Sequence, residues 1–262
     1  MSFEITFMSI LDAIILGIVE GITEFLPISS TGHLILFADL LSLPETDFLK
    51  TFQIAIQLGA IGAIVALYWR RLLFDRILVQ KVLVALLPAL GIGFLFYTLI
   101  RKLFESSLTV VVALFVGGLI LILFELWHRK QIDEGTELTA LSYRTALGVG
   151  LFQALSVIPG VSRAGATILG GLVLGLKRKA IVEFSFLLAV PTMLAATTLD
   201  LLKHGSLFSS ADFTLLGIGF VTAFIVAIFA VKFLLRYIET HTFITFGVYR
   251  ILVAALFFLF VL

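Results

Sequence analysis

Long apolar stretches separated by short polar ones run along the whole chain. Six of them reach the roughly 17–25 residues that a membrane-spanning helix needs: 52–69, 82–100, 110–127, 183–201, 214–233 and 244–262. Four shorter stretches form two pairs, 10–26 with 34–43 and 146–159 with 168–176. A proline and a polar cluster break each pair, which is typical of a re-entrant hairpin that enters and leaves the membrane on one side. We predict an all-α integral membrane protein with six transmembrane helices and two re-entrant helical hairpins.

Composition agrees with this class. Of 262 residues, 61% are hydrophobic and 13% are charged, and the mean hydropathy is +1.18. A soluble domain has about 25% charged residues, so this chain has too few to cover a water-facing surface. It contains no cysteine, which excludes disulfides and thiolate chemistry. The basic residues are scattered in short loops, so we expect membrane lipids and no nucleic acid as partners.

The two halves of the chain resemble each other. Gly17-Ile-Val-Glu20 aligns with Gly150-Leu-Phe-Gln153, and Leu90-Gly-Ile-Gly-Phe94 recurs as Leu216-Gly-Ile-Gly-Phe220. We therefore predict a single membrane domain over 1–262, built from repeats at about 1–130 and 131–262. Each repeat holds one hairpin and three spans, and three is odd, so the second copy must be inverted in the membrane.

The distribution of positive charge predicts the orientation. The segments 70–81, 128–144, 177–179 and 232–242 hold 12 lysines and arginines, whereas the segments on the other side hold 4. Because cytoplasmic loops are enriched in Lys and Arg, the first hairpin should enter from the outer side and the second from the cytoplasm. Their tips can then meet near the middle of the membrane.

Two carboxylates lie in the first hairpin. Glu20 and Glu24 are four residues apart, so they share a face of a helix, and Pro27 ends that helix. An ionisable residue inside a membrane costs roughly 2.5–3.5 kcal/mol and usually marks a functional site. A purely structural network that holds Arg163 is the alternative for these glutamates.

Hydroxyl groups and an imidazole follow the proline. Ser29, Ser30 and Thr31 are good N-cap residues for the next apolar helix, and His33 lies one turn further on. A helix N-terminus at this place would present unpaired backbone N–H groups, which bind anions and phosphate in particular. One hydroxyl can serve the chemistry while its neighbours cap the helix, and His33 is either catalytic or a hydrogen-bonded core histidine.

The second hairpin carries an arginine at its break, in Pro159-Gly-Val-Ser-Arg163. A guanidinium in the membrane needs an anionic partner, which Glu20 or Glu24 could supply, and its planar fork also matches phosphate. Gly160 permits a tight turn and the close approach of a ligand.

Together these groups suit phosphate chemistry. Glu20 and Glu24 can bind a divalent cation such as Mg²⁺ or Ca²⁺, Arg163 can stabilise a transferring phosphoryl group, and Ser30 can attack phosphorus with His33 moving the proton. The attacking group stays open among Ser30, His33 and an activated water. The other residues expected to contact the substrate are polar or small: Ser29, Thr31, Gly160, Ser162, Thr167, Gln53 and Gln57. The two glutamines could equally serve as hydrogen bonds between helices.

The motifs Glu20-x-x-x-Glu24-Phe-Leu-Pro-x-Ser-Ser-Thr-Gly-His33 and Pro159-Gly-x-Ser-Arg163 resemble those of the undecaprenyl-pyrophosphate phosphatases, also called bacitracin-resistance proteins. The family's second motif continues with a serine, where this chain has Ala164, while Thr167 is retained. The resemblance implies hydrolysis of undecaprenyl pyrophosphate, a polyprenyl pyrophosphate lipid, with a divalent cation. It also implies the bacterial inner membrane, with the active site open to the periplasmic side.

Two questions stay open. Broken helices in inverted repeats are also a transporter plan, so a lipid-phosphate flippase or secondary transporter is the alternative function. The sequence leaves the oligomeric state undetermined, with a homodimer among the alternatives.

Overall fold

The computed structural model describes residues 8–96, 107–128, 135–204 and 210–260. These residues form ten α-helices and two short 3₁₀ turns, and no extended strand. The helices are Ile10–Thr23 (α1), Ser30–Leu40 (α2), Asp47–Phe74 (α3), Arg76–Leu95 (α4), Ser107–His128 (α5), Tyr143–Ala154 (α6), Arg163–Val173 (α7), Arg178–His204 (α8), Ser210–Tyr237 (α9) and Ile244–Phe260 (α10). The ends of two predicted spans, at 97–100 and 261–262, lie outside the described residues.

Within the described ranges, five helices are long and apolar enough to cross a membrane. They are α3, α4, α5, α8 and α9, and each corresponds to a predicted span. The sixth predicted span, 244–262, corresponds to α10, which is apolar but has 17 residues. An all-helical protein with several candidate membrane spans is therefore confirmed, and the sixth span stays a prediction.

The prediction of a charged loop at 70–81 is wrong. Helix α3 continues to Phe74 through a kink at Tyr68 (φ −117°, ψ 15°), and only Asp75 separates it from α4. Asp75 accepts a hydrogen bond from the N–H of Leu78 at 3.0 Å and so caps α4. Arginine, lysine and glutamine are good helix formers, so the helices extend beyond their apolar segments and one cap residue makes the connection.

The first helix of each hairpin packs against a long helix of the other half of the chain. Helix α1 lies along α9, and α6 lies along α4. Helices α5 and α10 pack together, as do α3 and α8. Fully buried aromatic side chains, including Phe25, Phe184 and Phe186, fill the space beside the hairpins. This packing encloses the polar breaks among the long helices.

Glycines permit the close approach of these helices. A Cβ on Gly17 would lie 2.8 Å from the carbonyl oxygen of Gly219 on α9, and one on Gly150 would lie 2.1 Å from that of Ala85 on α4. Gly17 and Gly150 are therefore helix-packing residues.

The contact between α3 and α9 can be tested at Gly59. A Cβ there would lie 2.2 Å from the carbonyl oxygen of Phe220, and backbone cannot move aside without separating the helices. We expect Gly59→Ala to destabilise the protein by about 1–3 kcal/mol, seen as a lower thermal midpoint in detergent. Gly91→Ala is the control, because nothing lies within 4 Å of its added Cβ. An equal midpoint for the two variants would contradict the packing argument.

Candidate active site

The first hairpin reverses direction over Glu24–Ile28. Helix α1 ends at Thr23, with Glu24 as its C-cap, and α2 begins at Ser30. The N-cap is Ser29, as predicted, and its backbone has φ of 72°, which is unusual for a serine. Pro27 lies in the turn and prevents a continuous helix. This turn therefore places the Glu24 carboxylate a few residues before the N-terminus of α2.

The second hairpin is built in the same way. Helix α6 continues into the 3₁₀ turn Leu155–Val157, and α7 begins at Arg163. The side chain of Ser162 caps α7 by accepting the N–H of Gly165 at 3.0 Å. Gly160 has φ of +87°, and a Cβ there would lie 2.7 Å from the carbonyl oxygen of Val110. Only glycine meets both conditions.

The two hairpins contact each other through charged side chains. Arg163 Nη2 lies 2.7 Å from Glu24 Oε1, and the side chains are 7% and 2% exposed. The other carboxylate oxygen of Glu24 accepts a hydrogen bond of 2.6 Å from the Ser30 hydroxyl. Glu24 therefore joins the first residue of α2 to the first residue of α7, and both helix N-termini lie beside one carboxylate.

Arg163 is held from its other side as well. Its Nη1 donates to the carbonyl oxygen of Ser185 on α8 at 3.0 Å, and its guanidinium lies 5.8 Å from the centre of the Phe25 ring. The Nε atom is buried and has no partner among the described residues. The guanidinium is thus fixed in place with a donor to spare.

Glu20 is the second carboxylate. It is fully buried, and no N–H or O–H group of the described residues donates to either of its oxygens. Glu20 precedes Glu24 by one helical turn, which brings the two side chains within about 5–6 Å of each other. A buried carboxylate without a donor needs a cation or a proton.

These two carboxylates fit a divalent cation with few protein ligands. In the described part of the chain, no group of three or more histidine, aspartate or glutamate residues could hold a metal ion. Mg²⁺ commonly binds one or two carboxylates and completes its shell with phosphate oxygens and water. The donor set therefore suits a cation that arrives with a phosphate substrate, with Glu20 and Glu24 as the ligands.

His33 makes its hydrogen bonds with groups other than the Ser30 hydroxyl. Its Nδ1 lies 2.7 Å from the carbonyl oxygen of Ser29, and its Nε2 lies 2.8 Å from the hydroxyl of Tyr249 on α10. A carbonyl oxygen can only accept, so Nδ1 carries a hydrogen. Both ring nitrogens are thereby occupied, and the proton acceptor next to the Ser30 hydroxyl is Glu24.

The structure places the remaining predicted substrate residues in different surroundings. Thr167 is buried, and its hydroxyl lies 2.6 Å from that of Ser185. Gln53 donates to the carbonyl oxygen of Leu34 at 3.4 Å. Gln57 and Thr31 are half-buried.

Ala164, where the family motif has a serine, is fully buried. Its carbonyl oxygen accepts a hydrogen bond of 3.1 Å from the Thr167 hydroxyl. The retained threonine therefore supplies hydrogen bonds on the face of α7 where the second serine of the motif is missing.

Arg250 is a buried charge within the last predicted span. It is 2% exposed and donates to backbone carbonyls of both hairpin turns, Pro27 at 3.2 Å and Gly160 at 3.0 Å. Neither Arg250 nor Tyr249 was among the expected site residues. A charge within a predicted span was the signal for Arg250, and no motif marks Tyr249.

Comparison with known proteins agrees with the motifs. Residues 13–256 match the family model described as bacitracin resistance protein BacA. The chain belongs to this family. It is 49% identical over 252 residues to a protein named undecaprenyl-diphosphatase from Sulfurihydrogenibium sp., covering 96% of this chain and 99% of the relative.

Other relatives carry the same name. The protein from Aquifex aeolicus is 50% identical over 252 residues, covering 95% of this chain and 98% of the relative. The one from Wolinella succinogenes is 49% identical over 250 residues, covering 95% and 97%. The similarity therefore extends over nearly the full length of each protein, including both hairpins.

Proposed function

We propose that this protein hydrolyses undecaprenyl pyrophosphate to undecaprenyl phosphate and inorganic phosphate, which recycles the lipid carrier for cell-wall synthesis. Membership of the BacA family and full-length similarity to proteins named undecaprenyl-diphosphatase support this function. The observation that carries the chemistry is the position of Glu24 between the Ser30 hydroxyl and the Arg163 guanidinium. Those three groups are a base, a nucleophile and a phosphate-binding cation.

The first step is attack of Ser30 on the terminal phosphorus. Its hydroxyl already donates to Glu24, so the carboxylate takes the proton as the oxygen–phosphorus bond forms. The bond between the terminal phosphorus and the bridging oxygen breaks, and undecaprenyl phosphate leaves with the electron pair. The phosphoryl group remains on the Ser30 oxygen.

Arg163 and the two helix N-termini stabilise the transferring phosphoryl group. The guanidinium is fixed by its hydrogen bond to the Ser185 carbonyl. Its other terminal nitrogen can therefore replace the hydrogen bond to Glu24 with one to a phosphate oxygen while the guanidinium stays in place. This exchange also leaves the Glu24 carboxylate free to accept the serine proton. The helix dipole makes the N-terminus of a helix partly positive, so the backbone N–H groups at the starts of α2 and α7 can bind anions. Charge stabilisation of this kind is the main protein contribution to phosphoryl transfer.

The second step releases phosphate. A water molecule attacks the phosphorus, Glu24 returns its proton to the Ser30 oxygen, and the serine hydroxyl is restored. The attacking water loses a proton, which we assign to Nε2 of His33, the ring nitrogen that carries no hydrogen in the neutral imidazole. Inorganic phosphate then leaves.

Glu20 and Glu24 would hold the divalent cation, Mg²⁺ or Ca²⁺. A bound cation would offset the charge of the diphosphate oxygens and polarise them. Glu20 suits this role because its two oxygens have no other partner among the described residues.

The cation can be tested by removal. A chelator should lower phosphate release by about 10-fold or more, and Mg²⁺ or Ca²⁺ should restore it. Glu20→Gln should need a higher cation concentration and should lose the rise in thermal midpoint that bound cation gives the parent protein.

Glu125→Gln is the control for this experiment. Glu125 is equally buried, but Arg178 donates to both of its oxygens at 2.8 and 3.0 Å. The Glu125→Gln substitution should therefore reduce stability and leave the cation response unchanged. An unchanged cation response in Glu20→Gln would show that Glu20 is not a ligand.

The packing supports six spans and two re-entrant hairpins in inverted repeats. Exchange of the halves turns the α1–α9 contact into the α6–α4 contact, and maps the α3–α8 and α5–α10 contacts onto themselves. A two-fold relation between the repeats accounts for this pattern. We propose the bacterial inner membrane as its location, with the site open to the periplasm; the excess of Lys and Arg on one side supports this orientation. The homodimer stays a prediction.

The function is tested by measuring phosphate release from undecaprenyl pyrophosphate with the purified protein in detergent. A flippase or secondary transporter would instead move the lipid across proteoliposomes without breaking a bond. Cleavage that is saturable and depends on Ser30 would support the phosphatase. Transfer of intact lipid without phosphate release would overturn it.

A further inference from the structure

Helix α10 reaches the site from the far end of the chain. Two adjacent residues of this helix contact the hairpins: Tyr249 contacts His33 on α2, and Arg250 contacts the turns of both hairpins. More than 200 positions separate them from the first hairpin. The catalytic steps above use neither residue. Their contacts nevertheless fix the position of His33, one of the proposed acid/base groups.

Arg250 anchors α10 to three separate segments. Its guanidinium donates to the carbonyl oxygens of Pro27 in the first turn and Gly160 in the second, at 3.2 and 3.0 Å. It also donates to Leu114 and Ala113 on α5, at 3.3 and 3.0 Å.

A Cβ on Gly117 would lie 2.3 Å from Arg250 Nη2, so the glycine on α5 makes room for the guanidinium. The carbonyls of Pro27 and Gly160 lie in turns and lose this donor if the arginine is lost, and buried carbonyls are costly to leave unpaired. The register of α10 against the two turns is therefore fixed.

Tyr249 occupies the position next to this anchor. Its hydroxyl lies 2.8 Å from Nε2 of His33, and the two rings stack with an interplanar angle of 4° and a centroid distance of 5.5 Å. The opposite ring nitrogen of His33 is held by the carbonyl of Ser29 at 2.7 Å. The imidazole is thus held by hydrogen bonds at both nitrogens, and the Tyr249 ring contacts it.

We propose that Tyr249 is a positioning residue that acts through His33: it holds the imidazole in one orientation beside the phosphate, and Arg250 keeps Tyr249 in place. The hydroxyl donates to neutral His33 and accepts from protonated His33, so it can hold the ring in both stages of proton transfer. The role rests on the proposed phosphatase function.

The test is a double-mutant cycle on phosphate release from undecaprenyl pyrophosphate. Tyr249→Phe keeps the stacked ring and removes the hydroxyl. We expect kcat to fall about 10–100-fold, the range found when a partner that orients a functional histidine is removed, with KM changed less than about two-fold. His33→Asn should cost at least as much. The double variant should be no slower than His33→Asn alone, because the tyrosine acts through the histidine.

Tyr237→Phe is the matched control. It removes a hydroxyl with a hydrogen bond of the same length, 2.8 Å to Thr245, and should leave kcat unchanged. Thermal midpoints show whether each variant is folded. The proposal is overturned if Tyr249→Phe keeps the parent kcat, or if its loss adds fully to that of His33→Asn. A parent protein that releases no phosphate would overturn the proposed function instead.

Discussion

Ser30→Ala should reduce phosphate release by about 10³-fold or more, the largest effect expected of any single substitution in this protein. The hydroxyl is the only group at its position that can attack phosphorus, and loss of a nucleophile in a comparable covalent mechanism costs up to about 10⁶-fold. We expect kcat to fall and KM to change little, because Arg163 and the helix N-termini still bind the diphosphate. The measurement is inorganic phosphate released per mole of purified protein.

A matched control and a trapping experiment sharpen this test. Ser156→Ala removes a hydroxyl of the second hairpin that donates to the Gln153 carbonyl at 2.7 Å, and it should keep most of the activity. Rapid denaturation during turnover of terminally ³²P-labelled substrate should leave label on the parent protein and none on Ser30→Ala. Full activity in Ser30→Ala without retained label would assign the attack to a water molecule activated by a glutamate.

Arg163→Lys should lower kcat/KM by about 10²–10³-fold. Lysine keeps the charge, but a single ammonium cannot reproduce the planar fork that reaches Glu24 and the Ser185 carbonyl together. Without that fork, the phosphoryl group in the transition state loses its fixed donor. The decrease should exceed any change in the thermal midpoint.

The second buried arginine–glutamate pair serves as the control. Arg178 donates to both oxygens of Glu125, and the pair is 6% and 0% exposed, which closely matches the burial of Arg163 and Glu24. Arg178→Lys should lower stability while phosphate release by the folded protein stays near the parent rate. Equal loss of activity in both variants, in proportion to their stabilities, would mean that Arg163 serves only to hold the fold.

Local sequence predicted the elements that carry the candidate site. The break after Thr23 follows from Pro27, and the cap on α2 follows from Ser29. In the second hairpin, the positive φ at Gly160 and the cap by Ser162 have the same local origin. Such features depend on a few neighbouring residues, which is why they can be read without knowing the fold.

The spacing of residues along the sequence did not predict the hydrogen-bond partner of the Ser30 hydroxyl. The separation of three residues in a helix favours a contact between Ser30 and His33. Ser30 is instead the first residue of α2, where side chains point back toward the N-terminus, so its hydroxyl reaches Glu24 across the turn. His33 then turns to Tyr249.

By itself, the sequence determined the membrane class, the two broken hairpins and the set of groups suited to a diphosphate, because hydropathy, proline and caps act locally. Only the tertiary structure decided that Glu24 links Ser30 to Arg163, and that Arg250 and Tyr249 hold the two turns from the last helix. All of those contacts except the one between Glu24 and Ser30 join residues far apart in the chain. They follow from how the helices pack around the buried charges, and packing is a property of the whole molecule.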